Sequence, residues 1–186
     1  MKRVFDICLA VVASLVLLLP IGLLALLVRL TSNGPALYWS DRVGRDNRVF
    51  RMPKFRSMRL DTPAVATHLL QDPNTYLTPM GAFLRKTSLD ELPQLWCILK
   101  GDMSFVGPRP ALFNQDDLIE LRTQHGVHRV VPGLTGWAQV NGRDELPIPD
   151  KVELDREYLR RRSFWFDLQI VLMTAWRVLR RDGVSH

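Results

Sequence analysis

The chain has 186 residues, 47% apolar and 24% charged, with 25 lysines and arginines against 19 acidic residues for a net charge of +6. That length and balance suit one domain with a real core and exclude wholesale disorder. The basic excess points to anionic partners such as nucleic acid, an anionic lipid surface or phosphorylated substrates, and the two cysteines, Cys8 and Cys97, have neither zinc nor CxxC spacing, which fits a reducing compartment.

An apolar run extends from Ile7 to Val28, and about 20 such residues cross a bilayer as a helix. A cleavable signal peptide is a poor fit, because its apolar core is only ~7–15 residues long and ends at a small-residue site, whereas this run ends at Arg29. Pro20 and Gly22 lie mid-run; a proline removes one backbone bond and clashes one turn back, so a break is expected at Pro20. Lys2 and Arg3 precede the run. Arg29, Arg42, Arg45, Arg48, Arg51, Lys54, Arg56 and Arg59 follow it, opposed only by Asp41 and Asp46. Basic residues favour the cytoplasmic side, so two basic flanks predict a segment that enters, breaks and returns to the same face. Backbone groups freed at the break then need internal partners, since lipid offers none.

Asn33-Gly34-Pro35 ends this segment. The alternation of apolar and basic residues over Ala36–Met58 predicts a short hairpin at a charged surface. Ala82–Arg85 and Pro93–Leu99 read as helical and Gly101–Pro110 as turn-rich. Val131–Arg143 reads as loop and hairpin, with Asn141-Gly142 as its two-residue turn. Asp150 is placed to cap the next helix, with Glu153 completing a capping box and the helix running to about Arg162. The final helix, Phe164–Leu179, is apolar apart from Asp167, Gln169, Thr174 and Arg177. Its aromatic start and basic end (Arg177, Arg180, Arg181) fit a helix lying at a membrane interface, and a buried core helix fits equally well. The fold class expected is α+β, predominantly helical with short β-hairpins. Residues 1–30 form a re-entrant membrane helix, and residues 31–186 form one unit on the cytoplasmic face, with interfacial amphipathic helices.

The stretch from Arg85 to Leu95 concentrates charge at a helix start. One reading is capping: Ser88 and Glu91 fit the S-x-x-E pattern, and acidic residues suit a first turn. The other is chemical. A positive helix end keeps Asp90 ionised, and the adjacent Asp90 and Glu91 carboxylates hold a divalent cation against a diphosphate, or one of them attacks phosphorus. Arg85 and Lys86 are close enough in sequence to neutralise phosphate oxygens. Arg109, fixed between Pro108 and Pro110, combines a stiff backbone with a fork of donors suited to phosphate; a solvated arginine on a rigid surface turn is the plainer alternative. Arg143, just after the Asn141-Gly142 turn, belongs either to a site rim or to a hairpin end. His68, His125, His128 and His186 show no ligand spacing.

Six segments in this order carry a family resemblance: Lys2-Arg3-Val4-Phe5-Asp6; Lys54-Phe55-Arg56-Ser57-Met58; Ser88-Leu89-Asp90-Glu91-Leu92-Pro93-Gln94-Leu95; Leu99-Lys100-Gly101-Asp102-Met103-Ser104; Val106-Gly107-Pro108-Arg109-Pro110; and Pro132 through Arg143. Together they resemble the bacterial sugar transferases, the monotopic phosphoglycosyl transferases, over nearly the whole chain. The resemblance implies a two-step transfer of a sugar 1-phosphate from a UDP-sugar to undecaprenyl phosphate, releasing UMP, as the first step of exopolysaccharide, O-antigen, capsule or glycoprotein assembly. It implies Asp90 as nucleophile and Glu91 as its partner acid, with magnesium (Mg2+) held by both. Lys54, Arg56, Arg85, Arg109 and Arg143 fall at substrate-binding positions. It further implies a re-entrant N-terminal helix in the bacterial inner membrane facing the cytoplasm, membrane lipids but no nucleic acid as partners, and room for a homodimer or for contacts with downstream glycosyltransferases. Two positions depart from the family: Leu19 stands where relatives often have Ser before the helix-breaking proline, and Cys97 stands where many have Asn. Two other readings remain at this stage. One is a basic membrane module that recruits acidic partners, which leaves Asp90–Glu91 and Pro-Arg-Pro without a role. The other is a magnesium-dependent hydrolase of lipid diphosphates that uses water. No motif names the sugar.

Overall fold

The computed structural model describes residues 2–63, 72–142 and 146–180; Arg143, Arg181, His68 and His186 lie outside the described residues. The chain runs α1 (Lys2–Val16), α2 (Leu18–Thr31), β1 (Leu37–Val43), β2 (Val49–Phe55), α3 (Gly81–Lys86), a 3-10 turn over Leu89–Gln94, α4 (Leu95–Lys100), β3 (Ser104–Val106), β4 (Ala111–Leu112), α5 (Asp116–Gln124), β5 (Gly133–Thr135), α6 (Trp137–Asn141), α7 (Ile148–Arg161) and α8 (Phe164–Arg180). It is a mixed structure dominated by helix. The sheets are small: β2-β1-β4 is antiparallel throughout, and β3 and β5 form a parallel pair.

Helices α1 and α2 bend by 62° across Leu17. The break falls three residues before Pro20, and the reason is steric. A proline ring clashes with the carbonyl one turn back, here that of Val16, and has no N–H to offer it. The chain therefore yields at Leu17 (φ −92°, ψ 3°) rather than at the ring. Backbone bonding survives around the bend, with the Leu17 N–H donating to Ala13 (2.9 Å) and the Ile21 N–H to Leu17 (2.8 Å). Among the described residues no single helix is long and apolar enough to cross a membrane, whereas the bent pair meets that length and hydropathy together.

Both ends of the bent pair are tied to the same body. At the start, Lys2 pairs with Asp167 of α8, and Arg3 donates to the Ile98 and Leu99 carbonyls at the end of α4. Asp6, buried one turn on, accepts from the Ser104 hydroxyl (2.8 Å) and the Phe105 N–H (3.3 Å). At the far end, Arg56 donates to the carbonyls of Ser32, Asn33 and Pro35. Between these ties Ala10, Leu24 and Val28 are buried, while Leu15, Val16, Leu18 and Leu19 at the bend are exposed, Leu19 to 82%.

The hairpin β1–β2 forms as the alternation predicts, with Leu37 opposite Phe55 and Val43 opposite Val49. Phe50 and Met52 on β2 pack with Leu95, Ile98, Met103 and the helix residue Ala10, and Phe55 packs with Leu84, Leu24 and Val28. The final helix has one buried and one exposed face. Phe166 and Ile170 enter the core with Val106 and Tyr158, whereas Trp165, Leu172 and Trp176 face outward.

Three local expectations are corrected. Val131–Arg143 is not a hairpin: β5 pairs in parallel with the distant β3, and Asn141-Gly142 ends helix α6, where the Asn141 amide donates to the Trp137 carbonyl (2.7 Å). A tertiary pairing outweighs the local turn signal there, since a Cβ on Gly133 would lie 2.1 Å from the Gly107 nitrogen, and only glycine admits that approach. Asp150 does not cap α7. The helix starts two residues earlier, at Ile148, with Pro149 in its first turn, a position where a missing N–H costs nothing. Glu153 accordingly pairs with Arg156 (2.6 Å) and Arg160 (3.0 Å) instead of closing a capping box. The third concerns Ser88 and belongs to the site.

Candidate active site

Asp90 and Glu91 sit in the first turn of the 3-10 segment Leu89–Gln94. Two features force that turn. Ser88 adopts a left-handed conformation (φ 56°, ψ 18°) that separates it from α3, and Pro93 inside it has no N–H for an α-helical bond. Ser88 makes no side-chain capping bond, so the S-x-x-E reading fails; the Glu91 side chain points elsewhere.

It points at two cations. The Lys54 ammonium lies 2.7 Å from Glu91 Oε1, and Arg109 Nη2 lies 3.0 Å from the same oxygen. Lys54 shares a strand face with Phe50 and Met52, so packing that core carries it to the edge beside the 3-10 turn. It also reaches Asp90 at a looser 3.9 Å. Arg85, in the last turn of α3, contacts Met58 Sδ (3.3 Å), and its charge bears on Asp90.

The neighbouring carboxylates are therefore in different electrostatic states. Burial raises the Asp90 pKa above the ordinary aspartate value; Lys54 opposes that rise, Glu91 adds to it, and Arg109 and Arg85 oppose it further. Burial acts the same way on Glu91, but Lys54 and Arg109 outweigh it through charge and hydrogen bonds and hold its carboxyl well below the usual range. Pairs of carboxylates pushed apart in this way mark a division of labour. Glu91 is the fixed anion that locks two cations, and Asp90 is the more basic and less compensated oxygen. Burial thus works against the expectation that a helix end keeps Asp90 readily ionised, raising its pKa above the ordinary aspartate value.

Arg109 is held by its backbone. The Pro108 carbonyl accepts from the Gly133 N–H (2.9 Å), the Arg109 carbonyl from Arg122 Nη1 (2.7 Å) and the Pro110 carbonyl from Arg42 Nη1 (3.2 Å). Neither Arg122 nor Arg42 stands out in the sequence, since nothing local links them to Pro-Arg-Pro. Arg56 is brought elsewhere: only 4% exposed, it spends its guanidinium on the carbonyls beyond α2 and the Ser32 hydroxyl. Its guanidinium here serves the junction after α2, where a cation suits the helix C-terminus. Lys54, Arg85 and Arg109 are brought together around Asp90–Glu91. Arg143 lies outside the described residues.

Among the described residues no group of three or more histidine, cysteine or acidic side chains could hold a metal ion. Magnesium is ordinarily held by one or two carboxylates together with substrate phosphates. The adjacent Asp90 and Glu91 carboxylates are a donor set of that kind.

Residues 1–181 match the family model described as bacterial sugar transferase. The chain is 42% identical over 186 residues to the UDP-glucose:undecaprenyl-phosphate glucose-1-phosphate transferase of Escherichia coli (strain K12), covering 95% of this chain and 40% of that protein. It is 38% identical over 199 residues to the undecaprenyl-phosphate galactose phosphotransferase of Salmonella typhimurium, covering 98% and 41%. With the uncharacterized sugar transferase EpsL of Bacillus subtilis (strain 168) it shares 40% identity over 192 residues, covering 100% and 91%. The chain thus spans about two-fifths of the length of the glucose and galactose relatives.

Proposed function

The chain belongs to the bacterial sugar transferase family, and on that premise we propose that it moves a sugar 1-phosphate from a UDP-sugar to undecaprenyl phosphate through a covalent Asp90 intermediate. A carboxylate oxygen of Asp90 attacks the β-phosphorus. The bond from that phosphorus to the bridging oxygen breaks, UMP leaves with the electron pair, and the phosphosugar stays on Asp90. An oxygen of undecaprenyl phosphate then attacks the same phosphorus and displaces Asp90, giving a diphosphate-linked lipid. Two substrates of very different solubility need not be bound together in such a scheme.

The observation that carries this reading is the placement of Lys54 and Arg109 on Glu91, directly beside the buried Asp90 carboxylate. Glu91, kept anionic, holds Lys54 and Arg109 at the place where a diphosphate would lie. Asp90, kept more basic, is the better nucleophile. Arg85 adds a third cation near the attacked phosphate, and the resemblance adds Arg143. Asp90 and Glu91 would hold magnesium, which when bound offsets charge on the phosphate oxygens. The exposed apolar bend, with both ends anchored on one body, supports a re-entrant seat in the bacterial inner membrane facing the cytoplasm.

The test is intact mass spectrometry of the purified chain with a panel of UDP-sugars, followed by addition of undecaprenyl phosphate. We expect an adduct with the mass of one phosphosugar that is discharged by the lipid. It is expected to be absent in Asp90→Asn, with UMP release down by about 10³-fold or more. Full activity in Asp90→Asn would rule out the covalent step, and transfer to water in place of lipid would identify a hydrolase.

A further inference from the structure

The three carbonyls of Pro108-Arg109-Pro110 are each bonded from a different part of the chain, and two of the donors are arginine side chains. The central one, Arg122 on α5, is only 7% exposed, and its partner Asp155 on α7 is 1% exposed. Arg122 gives Nε (2.9 Å) and Nη2 (2.7 Å) to Asp155 Oδ2 and keeps Nη1 for the Arg109 carbonyl (2.7 Å). This is an expensive arrangement for structure alone, because a buried ion pair rarely stabilises more than well-packed apolar residues of the same volume. Core was available nearby: Val152, one turn before Asp155, packs with Ala111 and Leu118.

We infer that the Arg122–Asp155 pair is a positioning device for Arg109, setting the reach of its guanidinium towards Glu91 and the diphosphate. The inference rests on the proposed sugar-phosphate transfer. Pro108 and Pro110 remove the N–H groups that would otherwise anchor this segment, so its placement depends on what its carbonyls accept. Gly133 fixes the first carbonyl through main chain. Arg122 fixes the second, on the residue whose side chain does the binding. Asp155 holds the Arg122 fork in one orientation, which a lysine, with its single nitrogen, cannot reproduce. The path from α7 to the site is thus Asp155, Arg122, the Arg109 backbone, the Arg109 guanidinium and Glu91.

The experiment measures kcat and KM for UMP release in the full chain with its preferred UDP-sugar, well below the melting temperature, for Asp155→Asn, Arg122→Lys, Arg109→Ala and the double variant Arg109→Ala/Asp155→Asn. Val152→Ala is the comparison for lost stability on the same helix. Each single pair variant is expected to lower kcat/KM for the UDP-sugar about 10–100-fold, the scale of a small misplacement of a binding group. Val152→Ala stays within about twofold of wild type at comparable melting temperature. In the Arg109→Ala background, Asp155→Asn costs less than about twofold more, because its effect passes through a side chain already removed. Multiplicative losses in the double variant, or a normal kcat/KM in Asp155→Asn and Arg122→Lys, would overturn the positioning role. Should Asp155→Asn not fold, Arg122→Lys alone and in the Arg109→Ala background gives the same comparison. A wild-type chain inactive with every UDP-sugar fails the functional reading instead, and the two failures are distinct.

Discussion

At Asp90 the cost of burial falls on the ionised side chain, and this has a sign that can be measured. Its folded pKa lies above the unfolded value, so above the unfolded pKa the ionised carboxylate detracts from folding stability. Below both pKa values that cost vanishes. Asp90→Asn is therefore expected to raise the melting temperature at neutral pH and to lose that gain as the pH falls below the ordinary aspartate range, while abolishing the adduct. A melting temperature lowered at neutral pH would contradict the desolvation account. Glu91 runs the opposite way. Its depressed pKa contributes stability at neutral pH that is lost as the pH falls through and below the usual carboxylate range. Under the proposed mechanism only ionised Asp90 attacks, so its raised pKa is expected to place the acid limb of kcat/KM at higher pH than an unperturbed aspartate would. From the sequence, Asp90 and Glu91 were readable either as phosphate-chemistry residues or as a helix cap, and Arg109 either as a phosphate ligand or as a surface-turn arginine. The inequality between the two carboxylates was not readable, since it depends on Lys54 arriving from β2 and Arg109 from the turn before β4.

Among the elements, the junction after α2 is held by Arg56. Arg56, itself buried, donates to the carbonyls of Ser32, Asn33 and Pro35. Arg56→Met is expected to cost about 2–4 kcal/mol of stability, since hydrogen bonds from a charged donor are worth ~1.5–3 kcal/mol each and are not additive. The KM for UDP-sugar should remain near wild type in the fraction that folds; a selective rise in KM without loss of melting temperature would return Arg56 to the substrate. The hairpin and the long helices were readable because period-2 alternation and apolar runs are local signals. The Asn141-Gly142 turn and the Asp150 cap misled because equally local signals lost to a parallel pairing with β3 and to a helix start at Ile148.

For the molecule as a whole, the bent pair makes a topological prediction. Lys2, Arg3 and Asp6 fasten one end and Arg56 the other to the same body, so both ends should face one side of the membrane. In a Cys8→Ser background, cysteines placed by Val4→Cys and Leu30→Cys, both exposed, are expected to react only with reagent admitted from the cytoplasm; labelling of either from outside would refute the re-entrant seat. The apolar run, its mid-run proline and its basic flanks by themselves determined the expectation of a broken helix, because these are properties of composition and spacing, whereas the family and the choice of Asp90–Glu91 came from the resemblance that the six ordered motifs carry. Tertiary structure alone decided that the Arg56 guanidinium braces the carbonyls after α2, that Glu91 gathers two cations beside Asp90, and that Arg122 and Asp155 stand behind Arg109. Each of these depends on which distant side chains burial brings within hydrogen-bond reach, and desolvation then multiplies small differences in partner into large differences in charge state.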